Sequence, residues 1–164
     1  MKGSMTFQEQ IERCRNYGDI FHVVRRAVKE IIGRERVGLM LYLGNLPLRV
    51  GAFHGLGSNG IVINRRLIDL MSKSAGSVTE MNSFTFTLLL HEYLHSLGYV
   101  DERHVRDLTH EISEEVFGAD HPATMMALQL PIPRIPPSEM QLRTWDLDLE
   151  LVKDFERSNQ SYIS

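Results

Sequence analysis

Apolar residues recur along this chain in blocks whose spacing switches between helical and strand-like. Within residues 7–32, Ile11, Ile20, Val24, Ala27, Val28 and Ile31 fall at helical intervals among charged side chains, and Gly33 follows. That pattern predicts one amphipathic helix stopped by the glycine. Residues 37–43 are short, apolar and β-prone, and Gly44, Asn45 and Pro47 break the run, so it reads as a strand. Residues 50–54 and 61–64 read as two more strands joined by the glycine-rich turn 55–60. A short helix is predicted over 65–72 and a polar loop over 73–80.

The next block is apolar on nearly every side. Phe84, Leu88, Leu90, Leu94 and Leu97 predict a buried helix over 84–97, capped by Asn82 or Ser83 and ended by Gly98. Asp101 reads as the N-cap of a following helix that runs to about Phe117, with Val105, Leu108, Ile112 and Val116 as its core stripe. From Gly118 the chain reads as irregular. Pro131, Pro133, Pro136 and Pro137 mark an extended segment. A last amphipathic helix is predicted over 139–157 around Trp145, Leu147, Leu149, Leu151 and Phe155, although the three leucines alternate. This order of elements predicts an α+β domain over residues 5–130, with 131–164 packing on the same domain or on a partner, a second copy of the chain included.

Length and charge narrow the function classes. The 164 residues suit one domain, and 43% apolar with 24% charged residues is ordinary for a globular chain. A formal net charge of −3 gives no basic footprint for nucleic acid. No run approaches the roughly 18 apolar residues that a membrane span needs. A single cysteine, Cys14, cannot form an internal disulfide and reads as a small core residue. With no secretory pattern in residues 1–10, a cytoplasmic protein is expected.

The chemistry concentrates in His91-Glu92-Tyr93-Leu94-His95. Residues four apart share a helix face, so both imidazoles can aim at one point. Zn2+ accepts imidazole nitrogen and, in catalytic sites, keeps a position open for water. Glu92, next to His91, is placed to act as general base toward that water. Two histidines and a glutamate on a buried helix are costly unless paired or ligated, which favours this reading over satisfied core side chains. Tyr99, His104 and His110 are candidates to stabilise an oxyanion, and His121-Pro122 reads as a turn. His54, at the hairpin, reads as a surface residue.

The stretch from His91 to Asp101, HEYLHSLGYVD, resembles HExxHxxGxx(H/D), the zinc-binding stretch of metzincin-type metallopeptidases within the zincins. The resemblance implies a zincin-like domain, with the glycine at Gly98 turning the chain and a third ligand at Asp101, where the family more often has histidine. By comparison with zincins that take a glutamate from the following helix, Glu111, Glu115 and His104 are the alternatives. The methionine that family places beneath its metal has candidates in Met125 and Met126, for which core packing is the preferred reading. The activity implied is zinc-dependent hydrolysis of peptide bonds in a peptide or protein substrate, the substrate adding as a strand to an open sheet edge. His91, Leu94, His95, Leu97, Gly98, Tyr99 and Asp101 are also similar to the HGxLHLxGYDH stretch of the YbeY family of metal-dependent endoribonucleases. Glu92 and Asp101 depart from that pattern, which has Gly and His there. A third reading is a non-catalytic binding module whose metal is closed by four protein ligands.

Overall fold

A computed structural model describes residues 5–55, 57–131 and 146–156. They form an α+β domain of six helices and a four-stranded sheet. The helices are α1 (Phe7–Glu12), α2 (Tyr17–Ile32), α3 (Arg65–Ser74), α4 (Val78–Ser96), α5 (Glu102–Phe117) and α6 (Pro122–Leu128). The strands are β1 (Met40–Asn45), β2 (Ala52–His54), β3 (Gly60–Asn64) and β4 (Asp146–Leu151).

The sheet order is β2-β3-β1-β4. β1 runs parallel to β3 and antiparallel to β4, and β2 is antiparallel to β3. Among the described residues both outer strands are therefore edges, and β2 is the one beside α4. Leu41, Ile61 and Ile63 are fully buried and carry the sheet face that joins the hydrophobic core. α4 is the central helix, touching the five other helices as well as β2 and β3. Its residues Phe84, Phe86, Leu89, Leu90, Tyr93 and Leu94 are buried almost completely. Phe21 of α2 meets Tyr93 edge-on at 5.4 Å and stacks on Phe155 at 4.2 Å. No helix among the described residues is long and apolar enough to cross a membrane.

Several boundaries differ from expectation, each for a local reason. The first predicted helix is two, because Asn16 leaves helical geometry (φ −151°) and its side chain caps α2 through the Asp19 N–H. The apolar period survives the break because α1 and α2 bury their faces in one core. α4 begins at Val78, six residues before the predicted Phe84, where Ser77 accepts the Glu80 N–H and Glu80 accepts that of Gly76. Asn82 does not cap it; its Nδ2 donates to the Ile11 and Cys14 carbonyls and ties α4 to the end of α1. The stretch after Gly118 contains α6, with Pro122 in its first turn and His121 as N-cap. Residues 146–151 form a strand, not a helix: the alternation of Leu147, Leu149 and Leu151 is the strand period, completed by pairing with β1. Trp145 and the predicted helical residues 139–145 lie outside the described residues, as do Pro133, Pro136, Pro137 and most of the segment expected to meet a partner.

The loop between β1 and β2 is held by one buried side chain. Asn64 is fully buried, and its Nδ2 lies within 3.2 Å of the carbonyls of Leu46, Pro47 and Val50. Its Oδ1 accepts from the Leu46 and Arg66 N–H groups, the latter capping α3. Asn64→Ala leaves these buried groups unpaired and is expected to destabilise the fold by about 3 kcal/mol in denaturant unfolding. Asn64→Asp, close in shape, is expected to cost at least as much, because an acceptor oxygen then replaces Nδ2 in front of three carbonyls.

His121 is expected to make stability pH-dependent. Its Nδ1 accepts the Ala123 N–H, its ring stacks on Phe117 at 4.4 Å, and its Nε2 is buried without a hydrogen-bond partner. Burial lowers its pKa below the ordinary 6.5, with Glu12 opposing. The unfolded chain therefore takes up this proton first as pH falls. Stability is expected to be undiminished above about pH 6.5 and to drop as pH falls below it. Urea midpoints at pH 7.5 and 5.5 should differ less in His121→Asn, which retains a capping side chain but cannot titrate.

Candidate metal centre

The last turn of α4 and the first turn of α5 meet at one point, and the turn between them sets the geometry. Gly98 takes φ +105°, a left-handed conformation that favours glycine. Its N–H donates to the His95 carbonyl, and the Tyr99 N–H reaches back to that of Leu94. The reversal brings the Tyr99 carbonyl within 2.7 Å of His95 Nδ1. Two arginines from the α2–β1 connection hold the carbonyls at the end of α4: Arg34 donates to Leu97 at 2.7 Å and Arg36 to Ser96 at 2.6 Å. Both cations also sit at the negative end of the helix dipole.

Three side chains converge beyond that turn. Ligand atoms of His91, His95 and Glu102 all lie within 4.8 Å of one another, and this is the group of metal-binding side chains found among the described residues. His91 Nε2 makes a 2.9 Å hydrogen bond with Glu102 Oε2. His95 Nε2 is buried and lies 2.7 Å from Glu102 Oε1, yet off the line of a hydrogen bond, and among the described residues it has no hydrogen-bond partner. A carbonyl oxygen can only accept, so His95 Nδ1 is the protonated nitrogen and, in the neutral ring, Nε2 keeps its lone pair. A neutral nitrogen this close to a carboxylate oxygen is unfavourable unless a proton or a metal ion is shared by the two. Metal-bound histidines characteristically give their other N–H to a backbone carbonyl in this way. The His/His/Glu group can thus hold a metal ion.

Electrostatics favour the same arrangement. Burial lowers the His91 pKa, assisted by His95 and Arg106 and opposed by Glu102, which keeps the imidazole inclined to its neutral, ligating form. For Glu102, partial burial pushes the pKa upward, but the two histidines outweigh it and the net direction is down. Glu92 is different. It is 7% exposed, and burial, with Glu102 nearby, pushes its carboxyl up to about 8, the nearby His54 backbone opposing the shift. A cation held beside it would favour the ionised form.

Two cavities flank these residues. One, about 320 Å³, is lined by Phe53, His54, Val100 and Glu102 with His95. The other, about 350 Å³, is lined by Leu88, Arg106, Met126 and Leu130 among others. They share Ala52, His91 and Glu92, so the edge strand β2 and the start of the HExxH stretch form the wall between them.

Compared with family models, with curated proteins and with solved structures, the chain matches none of them.

His91, Glu92 and His95 lie together as the spacing predicted. The carboxylate beside the histidines is that of Glu102, which sequence reasoning passed over. Asp101, one residue earlier, is the N-cap of α5, its Oδ1 accepting the Arg103 and His104 N–H groups. Glu111 and Glu115 are exposed on α5 and are not among the converging ligand atoms. His104 packs its ring against Tyr99 at 5.5 Å. Neither Tyr99, His104 nor His110 lines the two cavities. His54 does, and its Nε2 bonds the Ser58 carbonyl at 2.9 Å. Of the methionines considered, Met126 is buried on a cavity wall and Met125 is 61% exposed. A run of two acids opening a helix just after the glycine was the signal for Glu102, since only one of them can cap.

The two acids are expected to separate by experiment. Asp101→Ala should cost about 1 kcal/mol of stability as a lost cap, with metal content unchanged. Glu102→Gln should leave the unfolding midpoint of the metal-free protein nearly unmoved and lower metal affinity at least tenfold, read by elemental analysis and competition with a chelator.

Proposed function

We propose that this protein is a zinc-dependent peptidase, with His91, His95 and Glu102 as ligands and Glu92 as general base. The observation that carries the reading is the buried Nε2 of His95, which lies 2.7 Å from the Glu102 carboxylate, makes no hydrogen bond among the described residues, and belongs to a ring whose Nδ1 is committed to the Tyr99 carbonyl. Two imidazoles and a carboxylate are a donor set suited to Zn2+. When bound, the ion supplies Lewis-acid chemistry, polarising a carbonyl oxygen and making water acidic enough to act as a nucleophile near neutral pH.

The chain's own residues perform the remaining steps. Glu92, on the wall shared by both cavities, accepts a proton on its carboxylate from the attacking water and passes it to the leaving amine. Its burial excludes bulk water from that transfer and strengthens the interaction of the carboxylate with nearby charge. The Tyr99 carbonyl keeps His95 in one orientation through the cycle. β2 is a sheet edge whose Ala52, Phe53 and His54 all line the groove beside the histidines. An extended peptide laid along that edge passes over Glu92, which favours a peptide over a compact substrate. The ligand set replaces Asp101 by Glu102, because Asp101 is engaged by two backbone N–H groups.

The protein is expected to bind about one zinc per chain, to cleave an unstructured protein substrate, and to lose that activity to a chelator and regain it with added zinc. Glu92→Gln should keep the metal and lose roughly 10²–10⁴-fold in kcat. His95→Ala should lose the metal itself. A wild type that takes up zinc yet leaves unfolded substrates intact would end the peptidase reading, and one that takes up none would end the metal reading with it.

A further inference from the structure

The 350 Å³ cavity has an unusual combination of walls. Leu88 and Met126, 5% and 7% exposed, form its buried part, and Leu128 and Leu130, 64% and 39% exposed, its apolar rim. His91 and Glu92 close the side toward the metal centre. The one permanently charged cation among the lining residues is Arg106. It stands one helical turn beyond Glu102, on the same face of α5, close enough to His91 to bias that imidazole toward neutrality. Among the described residues no hydrogen bond or ion pair engages its guanidinium, whereas Arg25 and Arg65 both have carboxylate partners. A chamber with apolar walls and one cation, with the Glu92 carboxyl on its opposite, metal-ligand side, selects a ligand that carries an apolar part and a negative charge directed to Arg106.

We infer that Arg106 is a specificity-determining residue, whose guanidinium receives a carboxylate on the substrate residue seated in this cavity. A guanidinium matches a carboxylate with two parallel N–H···O bonds, which fixes orientation as well as charge. The apolar walls hold the aliphatic part of the same residue. The volume lies within the roughly 300–1,000 Å³ span of small-ligand sites. In a peptide, that carboxylate is either the free C-terminus or an Asp or Glu side chain next to the scissile bond. The substrate being a peptide rests on the proposed function; the carboxylate site itself does not.

The test therefore has a binding arm and a hydrolysis arm. In the first, N-acetyl-leucine and N-acetyl-leucinamide, then N-acetyl-glutamate amide and N-acetyl-glutamine amide, are titrated into the metal-free chain by NMR. Wild type and Arg106→Ala are compared, with Arg106→Lys as the conservative variant. Wild type is expected to bind one of the two acids about 10- to 100-fold more tightly than its neutral partner. Arg106→Ala should erase that preference and Arg106→Lys restore part of it. Which acid wins identifies a C-terminal or a side-chain carboxylate. Equal binding of acid and amide by wild type overturns the inference, and so does a preference that survives in Arg106→Ala with an unchanged unfolding midpoint. In the second arm, kcat/KM of the zinc-loaded protein is measured on peptides with the matching acid or amide. If wild type shows the binding preference but cleaves no peptide, the peptidase reading fails and the carboxylate site stands. If it cleaves acid and amide peptides alike and binds both alike, the reverse holds.

Discussion

A helix enclosed on nearly all sides must be apolar or must find a partner for each polar group it carries, and from Ser83 onward α4 is enclosed in this way. The burial of Phe86, Leu89, Leu90, Tyr93 and Leu94 makes it the axis around which the other helices and one sheet edge assemble. The same burial makes each polar side chain on it expensive. Thr85 and Thr87 solve this locally by donating to carbonyls one turn back, and Tyr93 by accepting the Arg36 N–H. His91, Glu92 and His95 have no such local answer. Their partners come from other elements: Glu102 on α5, the His54 backbone on β2 and the carbonyl of Tyr99. What remains unsatisfied, the Nε2 of His95, is the atom that a metal would take.

The packing and the chemistry therefore share one cause. The arginines that neutralise the end of α4 also anchor the chain leading to β1, so the central strand and the metal centre are referenced to the same helix terminus. Division of the three donors between two helices gives the centre a hinge-like seam. α4 contributes two imidazoles held in the core, and α5 contributes a carboxylate that is two-thirds exposed. The two imidazoles are fixed by the core around them, whereas the exposed carboxylate has room to move toward an ion.

The parts legible in the sequence were those governed by one period or one stop signal. The buried helix, its glycine stop, the following helix and the pairing of His91 with His95 all follow from local spacing. The strand at 146–151 was missed because two periods overlap there, and only pairing with β1 decides between them. The early start of α4 was written in Ser77 and Glu80 but hidden by a polar first turn. The pair of acids after Gly98 signalled that one would be left over from capping, but not which. Asp101 and Glu102 are adjacent acids, and the assignment of one to the cap and the other to the histidines depends on the direction in which α5 leaves the turn, a property of how α5 packs against α4. The role of His54 depends likewise on which strand is the edge.

The far end of the described chain has a consequence for how the protein is made. β1 is an interior strand whose second neighbour, β4, lies about a hundred residues later. Just past β4, Glu156 accepts the N–H groups of Gly38 and Leu39, and Phe155 fills the place against Phe21. During synthesis, at roughly 5–20 residues per second, the flank of β1 and the Phe21 surface stay open for several seconds after α4 has emerged. A nascent chain in that interval presents an unpaired strand edge beside an apolar hollow, the kind of surface that chaperones recognise and that misassembly exploits.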